Sequence, residues 1–173
     1  TALALPMIFG GMASAVVFSR VFKNSRAKQL IGALGVAILG GLVASSILYF
    51  GFDALEANFW PTTGVIILGI AAISTTVLGL NSLLGIAGLG LGAVTMLFIS
   101  NPLSGMATGM HWLPSPWGAI GQYLPLGAAG TALRSSAFFD GAGMTNSVIV
   151  LLCWIIAGIT LAAAGAWRAR RTG

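Results

Sequence analysis

Residues 101–143 lie between two membrane-length apolar runs, yet they read neither as a further helix of that length nor as a hydrophilic loop. The stretch is apolar, is broken repeatedly by Gly and Pro, and carries one cation, Arg134, and one acid, Asp140. Irregular backbone at membrane depth must hide its amides in protein or in a wet cavity. A folded, partly re-entrant cap is therefore expected here, and chains that carry such a cap use it to shape a path or a gate.

Composition agrees with a membrane setting. Hydrophobic residues make up 57% and charged residues 6% of the 173, whereas a soluble surface normally needs about a quarter charged residues. The net charge of +5 would suggest nucleic acid in a soluble domain. Here Arg20, Lys23, Arg26 and Lys28 fall in one short loop, and Arg168, Arg170 and Arg171 in one tail. That clustering is the signature of positive-inside topology and calls for no nucleic acid partner.

A window of about twenty residues predicts five spans, at 3–22, 30–52, 60–80, 83–100 and 146–167, with an outer cap at 101–145. Only Asn81 and Ser82 separate the third span from the fourth, so a tight helical hairpin is expected there. The loop after the second span holds Asp53 and Glu56 in place of cations. The N-terminal end is therefore expected outside and the C-terminus in the cytoplasm. The chain opens at Thr1 with no initiator Met, and an upstream segment is expected. The fold class is all-α, a single polytopic transmembrane helix bundle with short re-entrant or interfacial helices before the last span.

Within the cap, Asn101-Pro102 is expected to end the fourth helix, and Pro114 and Pro116 bar a continuous helix through His111, Trp112 and Leu113. Short helices are expected over about 117–123 and 127–138, broken at Pro125. They can dip into the membrane and return or lie flat at the headgroups, with Trp112, Trp117 and Tyr123 as interfacial anchors. Arg134 and Asp140, six apart, do not share a helical face; a fold-back at Phe139 would pair them, and the alternative places both among headgroups. The spans are rich in small residues, among them Gly10, Gly11, Ser14, Gly40, Gly41, Gly88, Gly92, Gly158 and Ala162. Such spacing suits close helix packing, whether ordinary bundle packing or a sliding or dimerising face. The glycines at 85, 88, 90 and 92 lack the strand and the Lys-Ser/Thr pair of a nucleotide loop.

Ser104, His111 and Asp140 share the cap, but no oxyanion motif accompanies them and the chain has one His, so catalysis is not expected. No His, Cys or carboxylate cluster has ligand spacing, and neither a metal nor a cofactor is expected. Cys153 stands alone, which excludes an internal disulfide.

The order Asn-Pro-Leu-Ser-Gly at 101–105, Leu-Pro-Ser-Pro-Trp-Gly at 113–118, Ile-Gly-Gln-Tyr-Leu-Pro at 120–125, Gly-Ala-Ala-Gly at 127–130 and Leu-Arg-Ser-Ser-Ala-Phe-Phe-Asp-Gly at 133–141 resembles the C-terminal membrane half of actinobacterial ABC-2-type permease-like proteins, a group similar to the YhgE/Pip membrane proteins. The resemblance implies a six-helix membrane domain whose first helix, often with a large outer domain, precedes this chain. It implies two short outer helices before the last span and a coupling element at Arg20, Lys23, Arg26 and Lys28, where an ATP-binding subunit would dock. The expected role is the membrane domain of an exporter in a bacterial plasma membrane, acting as a homodimer or beside partner subunits. Its cargo is expected to be amphipathic or lipid-like, because buried charge is nearly absent. The candidate outer gate comprises Asn101, Pro102, Trp117, Gln122, Pro125, Arg134 and Asp140. The alternative is a non-catalytic accessory or scaffold subunit of a larger membrane complex.

Overall fold

A computed structural model describes residues 4–22, 25–52, 59–105, 113–139 and 141–172, and these are helical or in turns, with no strand among them. The helices are α1 (Ala4–Val21), α2 (Arg26–Phe52), α3 (Phe59–Leu84), α4 (Ile86–Val94), α5 (Asn101–Leu103), α6 (Trp117–Gln122), α7 (Pro125–Phe138) and α8 (Met144–Thr172). A π-helical turn, Thr95–Ser100, joins α4 to α5 in one rod. Among the described residues four helical stretches are long and apolar enough to cross a membrane: Arg26–Phe50, Phe59–Leu84, Ile86–Leu103 and Met144–Arg171. The expected first span is shorter, with an apolar portion of Pro6–Val21.

Helix α3 is the centre. Of its most apolar 18 residues, 78% are buried, against 22% in α2, in the α4–α5 rod and in α8. It packs against α1, α2, α4, α7 and α8. Five buried hydroxyl residues on one helix would be costly if they lacked partners. Instead Thr63 donates to the Phe59 carbonyl at 2.7 Å, Ser74 to Ile70 at 2.9 Å, Thr75 to Ala71 at 2.7 Å and Thr76 to Ala72 at 2.7 Å. Each hydroxyl is satisfied one turn back on the same helix. Thr62 instead pairs across to the Ser136 hydroxyl on α7, at 3.1 Å.

Glycine contacts set the directions. Met7 lies on Gly69 and Gly11 on Ile73, and Gly158 and Gly165 lie on Thr75 and Ser82, so α1 and α8 run parallel to α3. Gly41 lies on Ile67 and Tyr49 packs on Phe59, and Gly88 and Gly92 lie on Leu80 and Val77, so α2 and α4 run antiparallel to it. A Cβ added to Gly158 would meet the Thr75 carbonyl carbon at 2.5 Å. The α3–α8 seam thus brings backbone against backbone, with Ser82 donating to the Ala162 carbonyl at 3.0 Å. Outward, Ile31, Leu39, Val43, Ile47, Phe98, Ile149, Leu152 and Ile156 are all exposed. An apolar belt of that extent suits hydrocarbon, not water.

Three boundaries differ from expectation. Helix α3 continues through Asn81 and Ser82, and the turn falls at Gly85, whose φ of 63° is the left-handed backbone that glycine adopts at least cost. Asn101-Pro102 does not end the fourth helix. The Asn101 N–H reaches back five residues to the Met96 carbonyl, and the wider π turn admits Pro102, which would clash in a regular helix; the rod stops at Gly105, φ 61°. Pro125 does not fall in a gap between the short helices but opens α7, a position where its missing N–H and fixed φ are no handicap.

Close approach at Gly158 makes an opposed pair of outcomes. Gly158→Val is expected to lower stability by about 1–3 kcal/mol through overpacking. Gly90→Ala, which meets nothing within 4 Å, is expected to leave stability unchanged or raise it by up to about 1 kcal/mol. Thermal unfolding of both variants in one mild detergent checks the pair.

Candidate functional site

The α6–α7 hairpin is the part of the fold where the backbone turns part-way along the bundle, with Tyr123 exposed and Pro125 and Leu126 buried. Ala129 of α7 lies beside Gly69, near the middle of α3, while Ser136 bonds Thr62 near the start of α3. Helix α7 therefore runs antiparallel to α3 and places its N-terminus, with the turn Tyr123-Leu124, level with the α3 midpoint. A turn in that position leaves orphan backbone groups. Two side chains from flanking helices take them up. The Leu126 N–H donates to the Ser100 hydroxyl at 3.3 Å, and the Trp154 indole N–H donates to the Tyr123 carbonyl at 2.7 Å.

Behind the turn, polar groups form a connected set. Thr131 donates to the Gln122 side-chain carbonyl. Arg134 donates to the Thr131 hydroxyl at 3.4 Å and to the Gly105 carbonyl at 3.3 Å. The Gln122 amide reaches the Ser104 carbonyl at 3.5 Å, and the Ser104 hydroxyl donates to the Asn101 carbonyl at 2.6 Å. The hairpin is thereby tied to the end of the π-interrupted rod. Packing reinforces the tie, since a Cβ on Gly121 would strike the Leu103 carbonyl and one on Gly127 the Gly121 carbonyl.

The sequence-predicted gate residues are thus partly gathered. Asn101, Gln122 and Arg134 belong to the network, and Pro125 is buried at the turn. Pro102 and Trp117 face outward instead, on an apolar groove of about 450 Å³ that includes Phe98 and Leu103. Asp140 and His111 lie outside the described residues, as do Asp53 and Glu56. Thr131, Ser100 and Trp154 were not singled out as partners. Their signal in sequence is faint, because a Thr or Ser in an apolar helix normally bonds its own carbonyls. Among the described residues no three His, Cys, Asp or Glu side chains gather to hold a metal ion.

At the opposite end stand the other predicted residues. Arg20 is exposed in the last turn of α1, and Arg26 and Lys28 occupy the first turn of α2; Lys23 lies outside the described residues. Arg20 and Arg26 do not share one helix, because they lie at the adjoining ends of two antiparallel helices. Gln29, buried beside them, explains the tight junction. Its amide donates to the Phe22 carbonyl at 2.8 Å while its oxygen accepts from Arg26 at 3.1 Å. The C-terminal end of α8 brings Arg168, Arg170 and Arg171 to the same end, with Arg171 stacked 3.6 Å over the Trp167 ring.

Comparison of the chain with protein-family models, with curated proteins and with solved structures finds no match.

Trp154→Phe keeps an aromatic body and removes the N–H, leaving the Tyr123 carbonyl without its donor. It is expected to cost about 1–3 kcal/mol and to speed amide exchange selectively over 121–127. Hydrogen exchange followed by mass spectrometry, with Trp167→Phe as the control, reads the difference.

Proposed function

We propose that this chain is the membrane domain of an ABC-2-like exporter or permease that moves an amphipathic or lipid-like substrate outward. The observation that carries the proposal is the α6–α7 turn, level with the middle of α3 and held by Ser100 and Trp154. Non-helical backbone at such a depth is tolerated where it is enclosed in protein or lines a cavity, and transporters build their sites from interrupted helices of this kind. The π turn beside it adds support, since such turns recur at functional sites.

In this reading α1 completes a set of five spans, α6 and α7 form a re-entrant hairpin, and the basic end of the bundle faces the cytoplasm. Arg20, Lys23, Arg26 and Lys28 couple the domain to an ATP-binding subunit. Asn101, Gln122, Thr131 and Arg134 hold the hairpin against the α4–α5 rod, and release of that network opens the outer side. Two copies, or one copy with partner subunits, enclose the path.

Topology has a direct test. In a Cys153→Ser background, Ala142→Cys is expected to react with a membrane-impermeant maleimide in intact cells, and Ala27→Cys only after permeabilisation. The reverse pattern overturns the orientation.

The functional test is purification of the full-length protein from its native membrane in mild detergent, with mass-spectrometric identification of stoichiometric partners. An ATP-binding subunit is expected, and is expected to be lost when Arg20, Lys23, Arg26 and Lys28 are all changed to Gln. Recovery inside a membrane assembly that holds no ATPase defeats the exporter reading and favours an accessory subunit.

A further inference from the structure

The basic end of the bundle carries a groove that shares only Arg26 with the coupling residues proposed above. Helices α2 and α8 both pack on α3 but meet each other only sparsely. Between them opens a groove of about 620 Å³, with Arg26 and Arg170 at its rim and Leu30, Ile159, Ala162 and Ala166 among its walls. Arg26 and Arg170 lie at the basic ends of α2 and α8, Ser25 is the other polar residue of the lining, and the rest of it is aliphatic.

We infer that this groove binds an anionic phospholipid, its phosphate between Arg26 and Arg170 and an acyl chain laid along the alanine face of α8. The inference rests on the membrane reading above and not on the transport one. Three observations on this chain select that occupant. The first is charge: no Asp or Glu occurs anywhere in residues 1–52 or 141–173, the segments that form both walls, so neither wall carries an acidic side chain to pair with these guanidiniums.

The second is depth. Ile159 and Arg170 are eleven residues apart on one helix, or about 16 Å at 1.5 Å per residue. That is close to one leaflet of a hydrocarbon core of roughly 30 Å. A soluble anion needs the rim alone, whereas a groove one leaflet deep with a charged rim matches the length and polarity of a lipid. The third is the division of labour among neighbouring cations. Arg171 is held over the Trp167 ring, so the Trp167 side of α8 has its own anchor and Arg170 serves the groove. Basic pockets between membrane helices are a recognised form of anionic headgroup site.

Native mass spectrometry of the purified full-length chain, titrated with phosphatidylglycerol and with phosphatidylcholine of matched acyl chains, tests the proposal. Phosphatidylglycerol is expected to bind roughly 30-fold more tightly, about fivefold for each guanidinium near the surface. The double variant Arg26→Gln, Arg170→Gln is expected to bring that ratio below about threefold, and Arg171→Gln to leave it unchanged. Ala166→Leu, which fills the wall and leaves both guanidiniums, is expected to weaken both lipids with no loss of thermal stability. Equal binding of the two lipids overturns the proposal, as does a fall in the ratio with Arg171→Gln as large as with Arg170→Gln. Unaltered binding by Ala166→Leu also overturns it, because the headgroup would then be held by a surface patch. Displacement of phosphatidylglycerol by millimolar inorganic phosphate assigns the rim to a soluble anion and overturns it likewise.

Discussion

Everything in this fold leans on α3, and α3 can be central because its polar atoms need almost nothing from their neighbours. Thr63, Ser74, Thr75 and Thr76 spend their hydroxyl protons on carbonyls of their own helix. The helix therefore presents small, satisfied side chains in several directions. Close contact becomes possible on each side: Gly158 of α8 against the Thr75 backbone, Gly88 of α4 against the Leu80 carbonyl, Gly11 of α1 against Ile73. Dispersion rises with the number of atoms brought to contact distance. In a lipid solvent, where burial of apolar surface offers little drive, such contact is what associates helices.

The hairpin α6–α7 follows from the same centre. Ala129 can lie against Gly69 because that face of α3 is small, and the Thr62–Ser136 bond fixes the far end. Once α7 is set at that height, its buried N-terminus and the exposed α6 C-terminus end level with the middle of α3 with unsatisfied backbone groups. Ser100 and Trp154 answer them from two different helices, so the turn depends on α4 and α8 having already taken their registers on α3. The π turn at Thr95–Ser100 belongs to this arrangement, since it lets the rod run past Pro102 to Gly105, where Arg134 reaches it.

Much of the helical order was legible in the residues. The long apolar runs, the short helices before α8 and the collection of cations at a few chain positions all follow from hydropathy and from Pro and Gly punctuation. Asn81 and Ser82 looked like a turn because they are polar in an apolar setting, yet Ser82 finds the Ala162 carbonyl on α8 and the helix continues to Gly85. Asn101-Pro102 looked like a helix end because proline rejects a regular helix, and a π turn relieved the clash. The network of Gln122, Thr131 and Arg134 was half visible, with Gln122 and Arg134 conspicuous as polar residues and Thr131 hidden among hydroxyls that usually bond locally.

By itself the sequence determined the helical class, the apolar surface and the placement of charge, because these depend on side-chain chemistry taken one residue at a time. Which helix would be central was decided only by the tertiary structure. Helices α2, α3 and α8 are all long and strongly apolar, yet 78% of the core window of α3 is buried and only 22% in the other two. An apolar side chain is equally at home against hydrocarbon and against a neighbouring helix, so hydropathy does not separate the two environments. The distinction comes from shape, from whether glycine and hydroxyl residues on several helices come into register at once, and register exists only when the helices are packed.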